Sequence, residues 1–112
     1  MRTITDEVIR QTLSRIRQYS VVILKAGPNK DKNDREKITW EHVRRNFALR
    51  ADGVLPIVCA ISDGSDVLGI GIFSATVEET KEIMDQDPGV KAGIFVYEVH
   101  AGRSFPGDSL PE

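Results

Sequence analysis

The sequence predicts an α+β fold, a ferredoxin-like βαββαβ layer of sheet and helices preceded by an extra N-terminal helix. The order of periodicities predicts it: after the first helix they run strand, helix, strand, strand, helix, strand, the split-βαβ arrangement. The chain length agrees, since 112 residues leave room for a single hydrophobic core. We therefore read 1–112 as one domain, with an N-terminal helix over 1–18, the core over 19–100 and a Pro/Gly-rich tail over 101–112.

Residues Thr5 to Gln18 carry Val8, Ile9, Leu13 and Ile16 at helical spacing, with Thr5 or Asp6 able to cap the start. Tyr19 to Ala26 then reads as a strand, rich in β-branched residues and nearly free of polar interruption. Gly27-Pro28-Asn29 breaks it, and a charged segment from Asn29 to Lys37 follows without an apolar anchor. That segment reads equally as a solvated connection or as a lid over a site.

The second helix is expected from Thr39 to about Ala51. Trp40, Val43, Phe47 and Ala51 form one stripe, expected to face the sheet. His42, Arg45, Asn46 and Leu49 form another, whose mix of ring, guanidinium and amide suits a cleft or an interface better than open water. Gly53 supplies the left-handed cap. Val54 to Ile61 is the second strand, with Pro56 marking a side that lacks a ladder partner.

Ser62 to Asp66 makes the hairpin turn and Val67 to Phe73 the third strand. Its Gly69-Ile70-Gly71 lacks the third glycine of a dinucleotide fingerprint and marks instead a close backbone approach or a bend. Thr76-Val77-Glu78-Glu79 is a capping box opening the third helix. That helix stops at Asp87-Pro88-Gly89, read as a reversing turn in which Gly89 supplies the positive φ, and Ile94 to His100 is the last strand. Phe105 is placed to pin the tail to the body.

Composition narrows the function classes. A net charge of −2 offers no field for nucleic acid or an anionic membrane. The local cluster of Arg44, Arg45 and Arg50 is either helix surface or a small anion contact. Cys59 lies in an apolar run and reads as a buried hydrophobe, or else as a thiol nucleophile. The start of the chain lacks an apolar signal core, and no apolar run approaches membrane-span length, so a cytoplasmic location is expected. One isolated His with scattered acids matches no metal-ligand spacing, and neither a phosphate loop nor a nucleophile elbow is present, so no metal or cofactor is expected.

Every predicted strand is apolar on both faces: Val21 and Ile23 beside Val22 and Leu24, Ile57 and Cys59 beside Val58, Ile70 and Ile72 beside Phe73, Val96 beside Phe95 and Tyr97. Two helices cover one face of such a sheet and leave the other bare, a patch that soluble monomers avoid. Pairing two sheets about a two-fold axis covers it, which predicts a homodimer.

The run Asp87-Pro88-Gly89-Val90-Lys91-Ala92-Gly93-Ile94-Phe95, after a helix opened by Thr76-Val77-Glu78-Glu79, resembles the C-terminal signature of the YCII-related (YciI-like) proteins. The helix bearing His42 and Leu49, followed by Gly53-Val54-Leu55, is similar to that family's His-bearing helix and strand, so the resemblance covers about Ser20 to His100. It implies a dimeric α+β barrel and an active-site pair formed by His42 and Asp87. One branch of the family acts as a dehydrochlorinase on chlorinated hydroquinones. The N-terminal helix, the charged loop and the tail depart from the family pattern and keep the substrate open.

A His–carboxylate pair is a minimal proton-transfer device: the carboxylate fixes one ring nitrogen as a donor and leaves the other as a base. Arg45 and Asn46 are placed to hold an anionic or enolate oxygen of a small ligand, and His100 is either a wall of the pocket or merely exposed. Taken without the resemblance, His42 is equally read as a structural histidine and Asp87 as a helix stop whose carboxylate accepts backbone N–H bonds. Two functions follow: a cofactor-independent lyase or isomerase acting on a small cyclic or carbonyl compound, or a non-catalytic small-molecule-binding homodimer using the same cleft.

Overall fold

The computed structural model describes residues 1–112 as helix α1 (Asp6–Leu13), strand β1 (Arg17–Ala26), helix α2 (Arg35–Ala51), strands β2 (Ile57–Ala60) and β3 (Val67–Phe73), helices α3 (Val77–Asp85) and α4 (Pro88–Lys91), and strand β4 (Phe95–Ser104). The strands form one antiparallel sheet in the order β2-β3-β1-β4, the ferredoxin-like topology. Thr76 caps α3 through the reciprocal bonds of a capping box, Glu79 N–H to Thr76 Oγ1 at 3.1 Å and Thr76 N–H to Glu79 Oε1 at 3.0 Å.

Pairing register sorts the residues onto two faces. Val22 stands opposite Gly71 and Val99, and Leu24 opposite Gly69 and Tyr97, all on the face that carries the helices. Val21 and Ile23, opposite Ile72 and Ile70, share the other face, which no element of the chain covers. The core is small: Val22, Leu55, Phe73 and Met84 form its centre. Only 13 of the 112 residues are buried, so much of the apolar surface is left for a partner or a ligand to cover.

Thr80 is fully buried in α3, and its hydroxyl has no hydrogen-bond partner. An unpaired buried hydroxyl forfeits its hydration for nothing, and valine has nearly the same shape. Thr80→Val is therefore expected to raise the unfolding free energy by about 1 kcal/mol, read from urea denaturation; a loss of stability would show that the hydroxyl is in fact satisfied.

Several sequence expectations shift. The first helix ends at Leu13 rather than Gln18, and the last strand runs on to Ser104. The two changes have one cause, since Arg17 pairs with Ser104 and Gln18 with Arg103, extending both strands of the ladder at the same end. The second strand is only Ile57–Ala60. Val54 and Leu55 both donate to the Leu49 carbonyl instead, at 3.0 and 3.1 Å, which turns the Leu55 side chain into the core.

Helix α2 is rotated relative to the expected phase. Trp40 and Phe47, assigned to the sheet, are 65% and 64% exposed, whereas the stripe Ile38, His42, Asn46 and Leu49 turns inward. Burying a hydrogen-bonded His–Asp contact fixes the rotation, because turning the aromatics inward would leave Asp87 buried without its partner. Cys59, expected to be buried, is exposed: it pairs with Ile70, which puts it on the face without helices, and β2 is an edge strand.

Asp87-Pro88-Gly89 is likewise not a reversing turn. It opens α4, with Asp87 as N-cap and Pro88 in the first turn. The positive φ that leads into β4 belongs to Gly93, at +74°.

The charged segment after Gly27 is fastened to that same point. Gly27 N–H donates to the Ile94 carbonyl at 2.7 Å, and Asn29 donates to Gly93 and, through its side chain, to Ala92. These bonds place it at the end of α4.

Candidate active site

Helix α2 and helix α4 bring the two halves of the site together. Asp87 is 1% exposed, and its Oδ2 accepts the N–H bonds of Gly89 at 2.9 Å and Val90 at 3.2 Å. The other oxygen, Oδ1, lies 2.7 Å from Nδ1 of His42, itself 8% exposed. The cap thus holds one carboxylate oxygen still while the second meets the ring. Phe95 supplies the wall beside the imidazole, with ring centroids 4.7 Å apart and planes tilted by 57°.

Burial alone would push the Asp87 carboxyl up. The hydrogen bond and charge of His42, together with the Val90 and Gly89 amides, outweigh it and hold the group below the usual carboxylate range. An ionised carboxylate only accepts, so Nδ1 carries the proton. Asn46, one turn along α2, places its amide nitrogen 3.2 Å from Nε2. With Nδ1 turned to Asp87, Nε2 is the ring nitrogen that meets this amide and faces the cleft.

Beyond Nε2 lies a cleft of about 170 Å³ between α2 and the sheet. His42 and Asn46 line it on the helix side, Val22, Leu24 and Phe73 on the sheet, and Leu55 and Met84 at its inner end. Gly69 and Gly71 shape its floor. A Cβ at Gly71 would stand 3.0 Å from Leu55 Cδ1, and at Gly69 the nearest atom is a backbone oxygen at 3.2 Å. Removing side chains at alternate positions of β3 keeps a flat strip of backbone open beneath the helix. No three His, Cys, Asp or Glu side chains converge as metal ligands anywhere in the chain.

The expected site residues are divided by this geometry. His42, Asp87 and Asn46 form one hydrogen-bonded row, with His42 and Asn46 facing the cleft. Arg45 does not line the cleft: its Nη1 is buried without a hydrogen-bond partner, 3.9 Å from Asp87 Oδ1. It is placed as a charge neighbour of Asp87, not as a ligand for an anionic oxygen in the cleft. His100 pairs across the ladder with Val21 and so lies on the uncovered face, its Nε2 3.3 Å from Glu98. The sheet separates it from the cleft.

The sequence reading did not single out Phe95, Leu55 or Met84 as part of the site. Gly69 and Gly71 did carry a signal, since paired glycines inside a strand mark a close approach; only the three-dimensional pairing shows that they face His42.

Among solved structures, the chain is similar to 5-chloro-2-hydroxyhydroquinone dehydrochlorinase (TftG) from Burkholderia phenoliruptrix AC1100, in complex with 2,5-dihydroxybenzoquinone. The TM-score is 0.54 and the identity 21%, covering 73% of this chain and 90% of that one. No family model and no curated protein matches the sequence. At this identity the likeness is one of fold: the chain is an α+β protein of the ferredoxin-like type, built on the same frame as that enzyme.

Proposed function

We propose that this protein is a small enzyme of lyase or isomerase type, using His42 as a general base on a cyclic or carbonyl compound without help from a cofactor. The observation that carries the reading is the buried 2.7 Å contact between His42 Nδ1 and Asp87, which leaves Nε2 as a base at an apolar cleft. The dehydrochlorinase activity of the protein that shares the fold, and the ring compound bound to it, support it. So does the resemblance of the Asp87–Phe95 run to the YCII-related family.

In such a reaction Nε2 takes a proton from a phenolic O–H or from a carbon next to a carbonyl. Asp87 stabilises the imidazolium that forms. The electrons of the broken bond expel a leaving group in an elimination, or move along the ring in an isomerisation, where the imidazolium returns the proton to a different atom. Asn46 occupies Nε2 in the free protein, so an incoming substrate displaces it, and its amide is then free to hold an oxygen.

The cleft has no cationic side chain, which favours an uncharged, flat substrate over a carboxylate or phosphate. We propose further that the chain acts as a homodimer. The uncovered face carries Val21, Ile23, Ile57, Ile70 and Ile72, and two such faces cover one another about a two-fold axis.

One observation favours a second reading, a binding protein without turnover: the base is already hydrogen-bonded to Asn46. A panel of halogenated hydroxyhydroquinones and enolisable cyclic ketones separates the two, followed by halide release and by solvent-deuterium incorporation. The expected result is turnover that falls on the order of 10²–10⁴-fold in His42→Ala. Tight binding of a panel compound with no turnover, unchanged by His42→Ala, would support the binding reading instead.

A further inference from the structure

Asp87 is a buried anion whose hydrogen-bond partners do not account for its charge. Two amides hold Oδ2, and the His42 ring holds Oδ1. Amides are neutral, and so is the ring whenever Nε2 is free to act as a base. A carboxylate only 1% exposed is costly to bury without a cation beside it. Left to itself, a buried His–Asp pair meets that cost by taking up a proton at Nε2, which makes an ion pair and removes the base.

Arg45 supplies the missing charge. It stands three residues after His42 on α2, a spacing that puts two side chains on one side of a helix. Its Nη1 lies 3.9 Å from the same Oδ1 that meets His42, and that nitrogen is buried with no hydrogen-bond partner. A buried polar nitrogen left unpaired calls for a reason, and Asp87 is the only acid with which Arg45 pairs. A guanidinium keeps its proton at all ordinary pH, so this charge is permanent.

Nothing else charged faces the ring. The sheet presents Val22, Leu24, Phe73 and Phe95 to it, and α3 presents Met84. Cys59, the other titratable residue along the cleft, pairs with Ile70 and belongs to the opposite face of the sheet. On α4 Lys91 is exposed, and on α2 Arg44 pairs with Glu41 at the surface.

We propose that Arg45 is the resting counter-ion of Asp87 and thereby keeps His42 in the form that can accept a proton. It is a positioning residue, acting through Asp87 and touching no substrate. It neutralises the carboxylate while the ring is uncharged. It also opposes a second positive charge on the ring, so that a proton taken from substrate is readily given back. The inference rests on His42 serving as the base, but its test needs no substrate.

Ring ¹⁵N spectra count the protons on His42, and His100, the only other histidine, lies across the sheet as an internal reference. At a pH where both forms of the His42 ring coexist, Arg45→Met is expected to raise the ratio of doubly to singly protonated rings about tenfold. The His100 signals are expected to stay in place. Arg45→Gln removes the charge but keeps a polar end. It is expected to give the same rise, which keeps the test open if the methionine variant fails to fold. Arg45→Lys retains the charge and is expected to hold the ratio close to that of the intact protein. Once a substrate is in hand, the acid limb of the rate–pH profile of Arg45→Met is expected to move up by about one pH unit, with KM little changed.

An unchanged ratio in the neutral variants would overturn the proposal. So would a rise in Arg45→Lys equal to that in Arg45→Met, which would tie the effect to shape rather than charge. A ring already doubly protonated at neutral pH in the intact protein would overturn it together with the base reading. Absence of turnover on the substrate panel, with the tenfold rise in place, would support the role of Arg45 and remove only the enzyme.

Discussion

Asp87→Asn is expected to move the His42 proton from one ring nitrogen to the other. The asparagine oxygen can still accept from Gly89 and Val90, the bonds that cap α4. Its NH₂ group then faces Nδ1 where the carboxylate oxygen used to be. Two donors cannot share that contact, so Nδ1 becomes the acceptor, the proton goes to Nε2, and the Asn46 amide turns to present its oxygen there. A protonated Nε2 is no longer a base, and any reaction that depends on it should slow on the order of 10²–10⁴-fold. Ring ¹⁵N shifts measure this without a substrate: the unaltered protein is expected to show Nδ1–H and the variant Nε2–H. Stability should fall by about 1–3 kcal/mol, the range for a disrupted buried polar contact. A variant that keeps Nδ1–H at unchanged stability would show that Asp87 serves only its cap.

The same pair fixes a pH dependence. Burial raises the Asp87 carboxyl, but His42 and the amides of Val90 and Gly89 outweigh burial and lower it, so the folded protein holds this proton more weakly than the unfolded chain does. The carboxylate's contribution to stability is therefore complete above the unfolded value of about 3.9. It is lost as the pH falls through the lower folded value. The stability gap between the unaltered protein and Asp87→Asn is expected to narrow on acidification through that window. Parallel curves would mean that the carboxylate gains nothing from its surroundings.

The fold was legible in the sequence because each element carries a local cause. Thr76 and Glu79 announce the start of α3, Gly53 ends α2 with its φ of +75°, and the alternation of strands and helices leaves one simple topology. The phase of α2 was not legible. Trp40 and Phe47 offer more apolar area to bury than Leu49 and Ile38, yet they face outward, because the rotation answers to a buried His–Asp contact made 45 residues along the chain. Such a contact leaves no periodic trace. Asp87 was misread for a related reason. Asp-Pro-Gly has the composition of a turn and equally that of an N-cap followed by a first helical turn, and only Gly93 four residues later separates them. The proximity of His42 and Asp87 rested on the family resemblance. Neither residue's neighbours in the sequence point to the other.

Gly89 shows how closely the cap and the ring are tied. It is buried in α4, and a Cβ built there would lie 2.3 Å from Cδ2 and 2.4 Å from Cε2 of Phe95. Alanine is the better helix former by about 1 kcal/mol, so the local preference favours Gly89→Ala. The contact opposes it, because these distances are far inside van der Waals range and Phe95 is only 7% exposed, with little room to retreat. Overpacking of this kind costs about 1–3 kcal/mol, enough to exceed the gain in propensity. Phe95 is also the wall behind the imidazole, 4.7 Å from its centroid, so a displaced ring removes the support that keeps His42 on Asp87. Gly89→Ala is expected to lower the urea midpoint and to move the ring proton resonances of His42 in the same sample. A stabilised variant with those resonances in place would show that Phe95 yields freely, and that Asp87 and Asn46 alone orient the ring.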